Sequence, residues 1–119
     1  MSYALDLKRF SEKINKNLDQ TSRAIKIKLF NGVINDTRVD TGRLTGNWQT
    51  STGQPILVET DRLDKTGSQA RAEAEANVGA FTVDYLTNNL DYAEVWEERD
   101  GMIAKNMTRI QRIVAEESA

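Results

Sequence analysis

Apolar residues near the start of the chain recur at helical steps. Leu7, Phe10, Ile14, Leu18, Ile25, Leu29 and Val33 follow one another at three, four or seven positions, with Lys8, Lys13, Lys16, Arg23 and Lys26 among the residues off the stripe. That spacing predicts an amphipathic helix. Ser2 is its candidate N-cap, and Gly32, Asn35 and Asp36 weaken its far end. A helix running unbroken from about residue 3 to 35 would measure roughly 50 Å at about 1.5 Å per residue. This exceeds the width of a globule of this size, so a bend near Asn17–Thr21 or a projecting end is expected. A second stripe, Ile103, Met107, Ile110 and Val114, predicts a C-terminal helix introduced by Asp100 and Gly101.

The middle of the chain reads differently. Phe81, Val83 and Tyr85 alternate with Thr82, Asp84 and Leu86, the pattern of a strand with one apolar face. Ile56–Thr60 is a short β-branched run after Pro55, the only proline, and suits a strand start or edge. Gln69–Ala76 favours a short helix. Asp61–Ser68 is charged and contains Gly67, which predicts an exposed loop; its Asp61 and Asp64 lack the alternating ligands of a calcium loop. Asn88 and Asn89 mark a turn, and Tyr92–Trp96 resumes an apolar pattern. The order predicts an α+β fold. A long N-terminal helix and a C-terminal helix pack on a small, mostly antiparallel sheet, with one short additional helix. The expected divisions of this single domain, residues 1–119, are the N-terminal helix at 1–36, the sheet with its short helix and exposed loop at 37–101, and the C-terminal helix at 102–119.

One stretch invites a chemical reading. Val39–Trp48 reads VDTGRLTGNW, and Asp-Thr-Gly is the loop of aspartic proteases. With one copy per chain, Asp40 could act so only in a homodimer in which two carboxylates share a proton. The flanks argue against it. Asn35, Asp36, Thr37 and Arg38 precede the motif with only Val39 apolar, and Arg43, three residues on, would hold the acid ionised. The architectural reading makes Asp40 an Asx-type turn, gives Gly42 a positive φ, and lets Leu44 and Trp48 plug a helix-to-strand corner into the core.

This block, with NNLDYAEVWE at residues 88–97, resembles the tail-completion family of long-tailed bacteriophages, which includes minor tail protein Z and related neck proteins. The matching positions are Val39, Asp40, Thr41, Gly42, Arg43, Leu44 and Trp48, then Asn88, Tyr92, Ala93 and Glu97. The chain departs from the family pattern at Arg38, where proline is common, and at Arg99, where glycine is common and Gly101 is displaced. The resemblance implies a virion structural protein and not an enzyme. It would be made in the host cytoplasm and complete the head-proximal end of the tail as a ring, with hexamers expected. Its implied partners are copies of itself, tail tube or terminator proteins and the head connector, with DNA threading the channel without sequence-specific binding. A tail terminator or a head-side connector is the alternative station. Arg43 is expected to pair with Glu97 and join the two blocks.

Composition trims the remaining options. The chain has neither histidine nor cysteine, so imidazole bases, thiolates and sulfur-held metals are excluded, and no cofactor is expected. No apolar run nears the roughly 20 residues of a membrane span, and the polar start lacks the apolar segment of a signal peptide. Charge is uneven. Residues 1–38 hold eight basic and four acidic residues, a net +4, and the remainder holds eight basic and fourteen acidic, a net −6. Such polarity can draw subunits head to tail. A nucleic-acid-binding module is the competing reading, weakened by Glu12 and Asp19 within the basic half and by the absence of an aromatic platform.

Overall fold

The computed structural model describes residues 2–5 and 18–117. In chain order the elements are β1 (Ser2–Leu5), α1 (Leu18–Asn35), the single turn α2 (Arg43–Gly46), β2 (Gln49–Thr52), α3 (Ser68–Asn77), β3 (Asp84–Thr87), α4 (Ala93–Asp100) and α5 (Met102–Glu117). The class is mixed helix with a small antiparallel sheet. β3 is the middle strand; Thr87 faces Ser2 of β1 on one side and Gln49 of β2 on the other.

The N-terminal expectation needs correction at its start. Ser2–Leu5 is a strand, so Ser2 caps no helix. The alternating Tyr-Ala-Leu run satisfies backbone groups along one side of β3 that a helix starting at residue 3 would leave unpaired. Residues 6–17, which carry Leu7, Phe10 and Ile14 of the expected stripe, lie outside the described residues. The described helix begins at Leu18, within the stretch where a bend is expected. It continues through Gly32 to Asn35, and then Thr37 closes it by donating its hydroxyl to the Val33 carbonyl at 2.7 Å. Gly32 is not a stop: a Cβ there would sit 2.1 Å from Asn106 Oδ1, so the missing side chain is what lets α5 approach.

The core lies between α1, α5 and the sheet. Ile25, Leu29, Phe30, Val33 and Ile34 meet Met102, Ile103, Ile110 and Val114, with Trp48, Ala70, Ala74, Val78 and Leu86 closing the cluster. The helices expected at 69–76 and 102–119 appear at Ser68–Asn77 and Met102–Glu117. Glycines with positive φ precede α3 (Gly67, 77°) and separate α4 from α5 (Gly101, 61°).

β3 presents the opposite face from the one expected. Phe81 and Val83 are 47% and 39% exposed, whereas Asp84 and Leu86 are buried. The reason is a salt bridge 58 residues apart in sequence: Lys26 Nζ donates to Asp84 Oδ2 at 2.8 Å, both side chains being fully inaccessible. Lys26 also donates to the carbonyls of Gly79 (2.9 Å) and Thr82 (2.6 Å). Asp84 accepts in addition from the Thr52 and Thr82 hydroxyls and from the Gly79 N–H. Burial is the largest single influence on Asp84 and pushes its carboxyl up. Hydrogen bonds from Lys26, Thr52 and Thr82, with the Lys26 charge, outweigh it and hold the group below the usual carboxylate value.

Ile56–Thr60 forms no strand. Its carbonyls are taken by side-chain amides instead. Asn89 donates to Ile56 O at 2.9 Å, Gln49 to Val58 O at 2.8 Å, and Asn47 grips both N–H and C=O of Thr60. This leaves Leu57 and Val58 in solvent. The outer rim of β2 is closed by side chains. Glu73 accepts from the Thr50 N–H at 2.9 Å, and Arg62 donates to the carbonyls of Gly46 and Trp48 at 2.8 and 2.7 Å while pairing with Glu73 at 3.1 Å. The predicted exposed loop 61–68 is thus anchored, and within it Asp64 is buried and accepts from the Ala70 N–H in the first turn of α3.

Candidate functional site

The two sequence blocks at 39–48 and 88–97 meet in space. Asn88, buried between β3 and α4, donates its amide to Leu44 O at 2.9 Å and accepts from the Leu90 N–H. Leu44, Leu90 and Ala93 form a separate small core with Trp96 packed against it. The result is a concavity of about 180 Å³, walled by residues 40–44 and Arg38 on one side and by Tyr92 and Trp96 on the other.

The corner is built by glycine and threonine. Gly42 has φ 88°, and its carbonyl accepts from the Gly46 and Asp64 N–H groups at 2.8 and 2.9 Å. A Cβ at Gly42 would stand 2.7 Å from the Lys65 backbone nitrogen, so position and conformation both demand glycine. The turn is held by Thr41, whose hydroxyl accepts from the Arg43 N–H at 3.3 Å. The expected Asx turn at Asp40 is not made: Asp40 is exposed, and its carboxylate has no hydrogen-bond partner among the described residues. Nor does the corner lead straight into a strand, since the turn of helix α2 intervenes. Leu44 and Trp48 do plug inward, but into different clusters. Trp48 is wholly buried and donates its indole N–H to Thr37 Oγ1 at 2.7 Å.

The second block is helical where the family pattern implies strand. β3 stops at Thr87, and Tyr92 and Ala93 open α4. Ala93 is buried and Tyr92 is 39% exposed on the rim, while Val39, outside the lining, is 49% exposed. Glu97 does not meet Arg43. Its carboxylate accepts from the Ile103 and Ala104 N–H groups at 2.8 and 3.2 Å, capping the start of α5 with a negative charge where the helix dipole favours one. Arg43 pairs with Glu59 at 3.0 Å, with both side chains over two-fifths exposed. Arg43→Ala should therefore cost less than about 1 kcal/mol, whereas Glu97→Ala should cost about 1 kcal/mol through the lost cap. Thermal melts of the two variants test that order, and a larger loss at Arg43 would reverse the assignment.

Arg38 and Asp100, absent from the motif reading, complete the site. Arg38 donates through Nε and Nη2 to the two Asp100 oxygens, each at 3.1 Å, and its guanidinium lies 4.1 Å from the Trp96 ring centroid. Arg99 also approaches that ring, at 5.4 Å. The Arg38 hydrogen bond, against a smaller effect of burial, holds the Asp100 carboxyl below its ordinary value, with the charges of Arg38, Lys105 and Arg99 adding to it. The only sequence signal was Arg38 standing where the family has proline. The Arg38 guanidinium over the Trp96 face is a cation–π contact. Asp40 is the one acid among the described residues that wall the concavity, so no second carboxylate of the same chain stands there to share a proton. Among the described residues no cluster of three or more acidic side chains could hold a metal ion, and no helix is long and apolar enough to cross a membrane. Scans against protein-family models, curated proteins and solved structures returned no match.

Proposed function

We propose that this chain is a structural protein of a long-tailed bacteriophage, completing the head-proximal end of the tail as a ring of copies around the DNA channel. Two lines support the reading. The blocks VDTGRLTGNW and NNLDYAEVWE carry the family resemblance, and the observation on which it rests most is that residues so far apart in sequence share one small core through Leu44, Leu90, Ala93 and Trp96. A motif that organises a surface corner, with its acid in solvent, its glycine required by the turn and its leucine in a small core, suits architecture better than catalysis. The corner would display Val39, Tyr92 and Trp96 to a neighbouring tail or connector protein, since aromatic and arginine anchors dominate such contacts.

Deleting the gene from a phage that encodes it tests the proposal. Filled heads and unattached tails in electron micrographs are the expected result, reversed by adding the purified protein. Normal particles and titre without the chain would overturn it.

A further inference from the structure

A groove of about 500 Å³ runs between α1 and α5, walled among the described residues by those two helices. That is within the roughly 300–1,000 Å³ of ordinary binding clefts. Its floor includes Ile110 and Ile113, and its rim carries Lys28, Arg109 and Arg112, with no carboxylate among the described residues that line it. Arg109 is tied to Asp36 at 3.0 Å, while Lys28 and Arg112 have no acidic partner among the described residues. A complementary ridge stands on α4. Glu94, Val95 and Glu98 are exposed at helical steps, with Asp91 and Tyr92 just ahead of them, and none of the three acids has a cationic partner among the described residues. The groove is apolar inside and basic outside. The ridge is apolar at Val95 and Tyr92, with Asp91, Glu94 and Glu98 around them and the exposed Arg99 one turn on, near the Trp96 ring.

We infer that the α4 ridge of one copy seats in the α1–α5 groove of the next, Val95 against Ile110 and Ile113 and the acids toward Lys28 and Arg112. This deepens the ring reading above, on which it rests for its setting, by naming the two faces that join. No α4 residue lines the groove of its own chain, so the contact uses two different patches and repeats from copy to copy. Helix-in-groove docking of this kind is read out by anchors at three- and four-residue steps. DNA is the weaker occupant: among the described residues two rim cations are unpaired, the floor is apolar, and the whole chain is net negative.

Because the chain has no cysteine, Val95→Cys and Ile113→Cys preparations can be mixed and oxidised, free in solution and within particles. A mixed disulfide dimer is expected, absent from either preparation alone and absent when Asp61→Cys replaces the ridge variant. Adding Arg112→Glu to the groove variant should lower the cross-linked fraction about tenfold, and Glu98→Arg on the ridge should restore it. The inference is overturned if the dimer never exceeds the Asp61→Cys control. It is equally overturned if charge reversal leaves the dimer unchanged, or if Arg112→Glu abolishes duplex DNA binding without touching the cross-link. Particles that need the chain yet yield no cross-link would remove this interface and spare the head–tail reading. A cross-link in a chain dispensable for infection would do the opposite.

Discussion

Lys26→Ala should lower the unfolding free energy by about 3–5 kcal/mol, because it strands the Asp84 carboxylate in the interior. Asp84→Ala should cost a similar amount by stranding the ammonium. Removing both with Lys26→Met and Asp84→Leu should recover a large part of the loss, since a buried pair replaced by well-packed apolar groups is often close to neutral. The recovery will be incomplete because Thr52, Thr82 and the Gly79 N–H also spend hydrogen bonds on Asp84. Urea unfolding of the parent, the two single variants and the double variant measures each of these losses. Single variants as stable as the parent would mean that the pair is solvated.

The same carboxylate sets a pH dependence. Its folded-state value is lowered, so its contribution is complete above the unfolded value of about 3.9. It is lost as pH falls through the lower folded value. Stability should therefore drop below about pH 4, and the Asp84→Leu, Lys26→Met double variant should show a shallower drop. Equal slopes would place the acid sensitivity elsewhere.

Trp48→Ala is the second large effect. The side chain is wholly buried where α1, the sheet and α5 converge, and deleting it should cost about 3–5 kcal/mol. Trp48→Phe separates packing from hydrogen bonding. It keeps much of the volume but withdraws the indole N–H from Thr37 Oγ1, and Thr37 retains its bond to Val33. A loss of about 1 kcal/mol is expected for that step. Matching losses for Ala and Phe would assign the whole effect to the hydrogen bond, contrary to the packing argument.

These cases show what the amino-acid order could reveal. α3 and α5 were legible because their signals are local: an alanine- and glutamate-rich run in one, a three-and-four stripe in the other. Gly42 was legible because a reversal after a helix needs a residue free of a Cβ. Leu44 and Trp48 were read correctly as plugs for the same reason, being the large apolar residues of a polar corner. β1 was not legible, since four residues near a helical stripe become a strand only through β3, 79 to 85 positions on. The inverted face of β3 depends on a lysine 58 residues away. Ile56–Thr60 has strand propensity, but Asn47, Gln49 and Asn89 claim its backbone. The Arg43–Glu97 pairing failed because each side chain has nearer work, one at Glu59 and the other at the head of α5.

The Glu73–Arg62 closure of β2 bears on how the folded chain meets other polypeptides. An open strand margin invites other polypeptides to stack on it, and the outcome is fibre. Here the margin's donor at Thr50 and the acceptors beside it are already occupied by charged groups of the same molecule. Growth by cross-strand accretion is therefore opposed on that side.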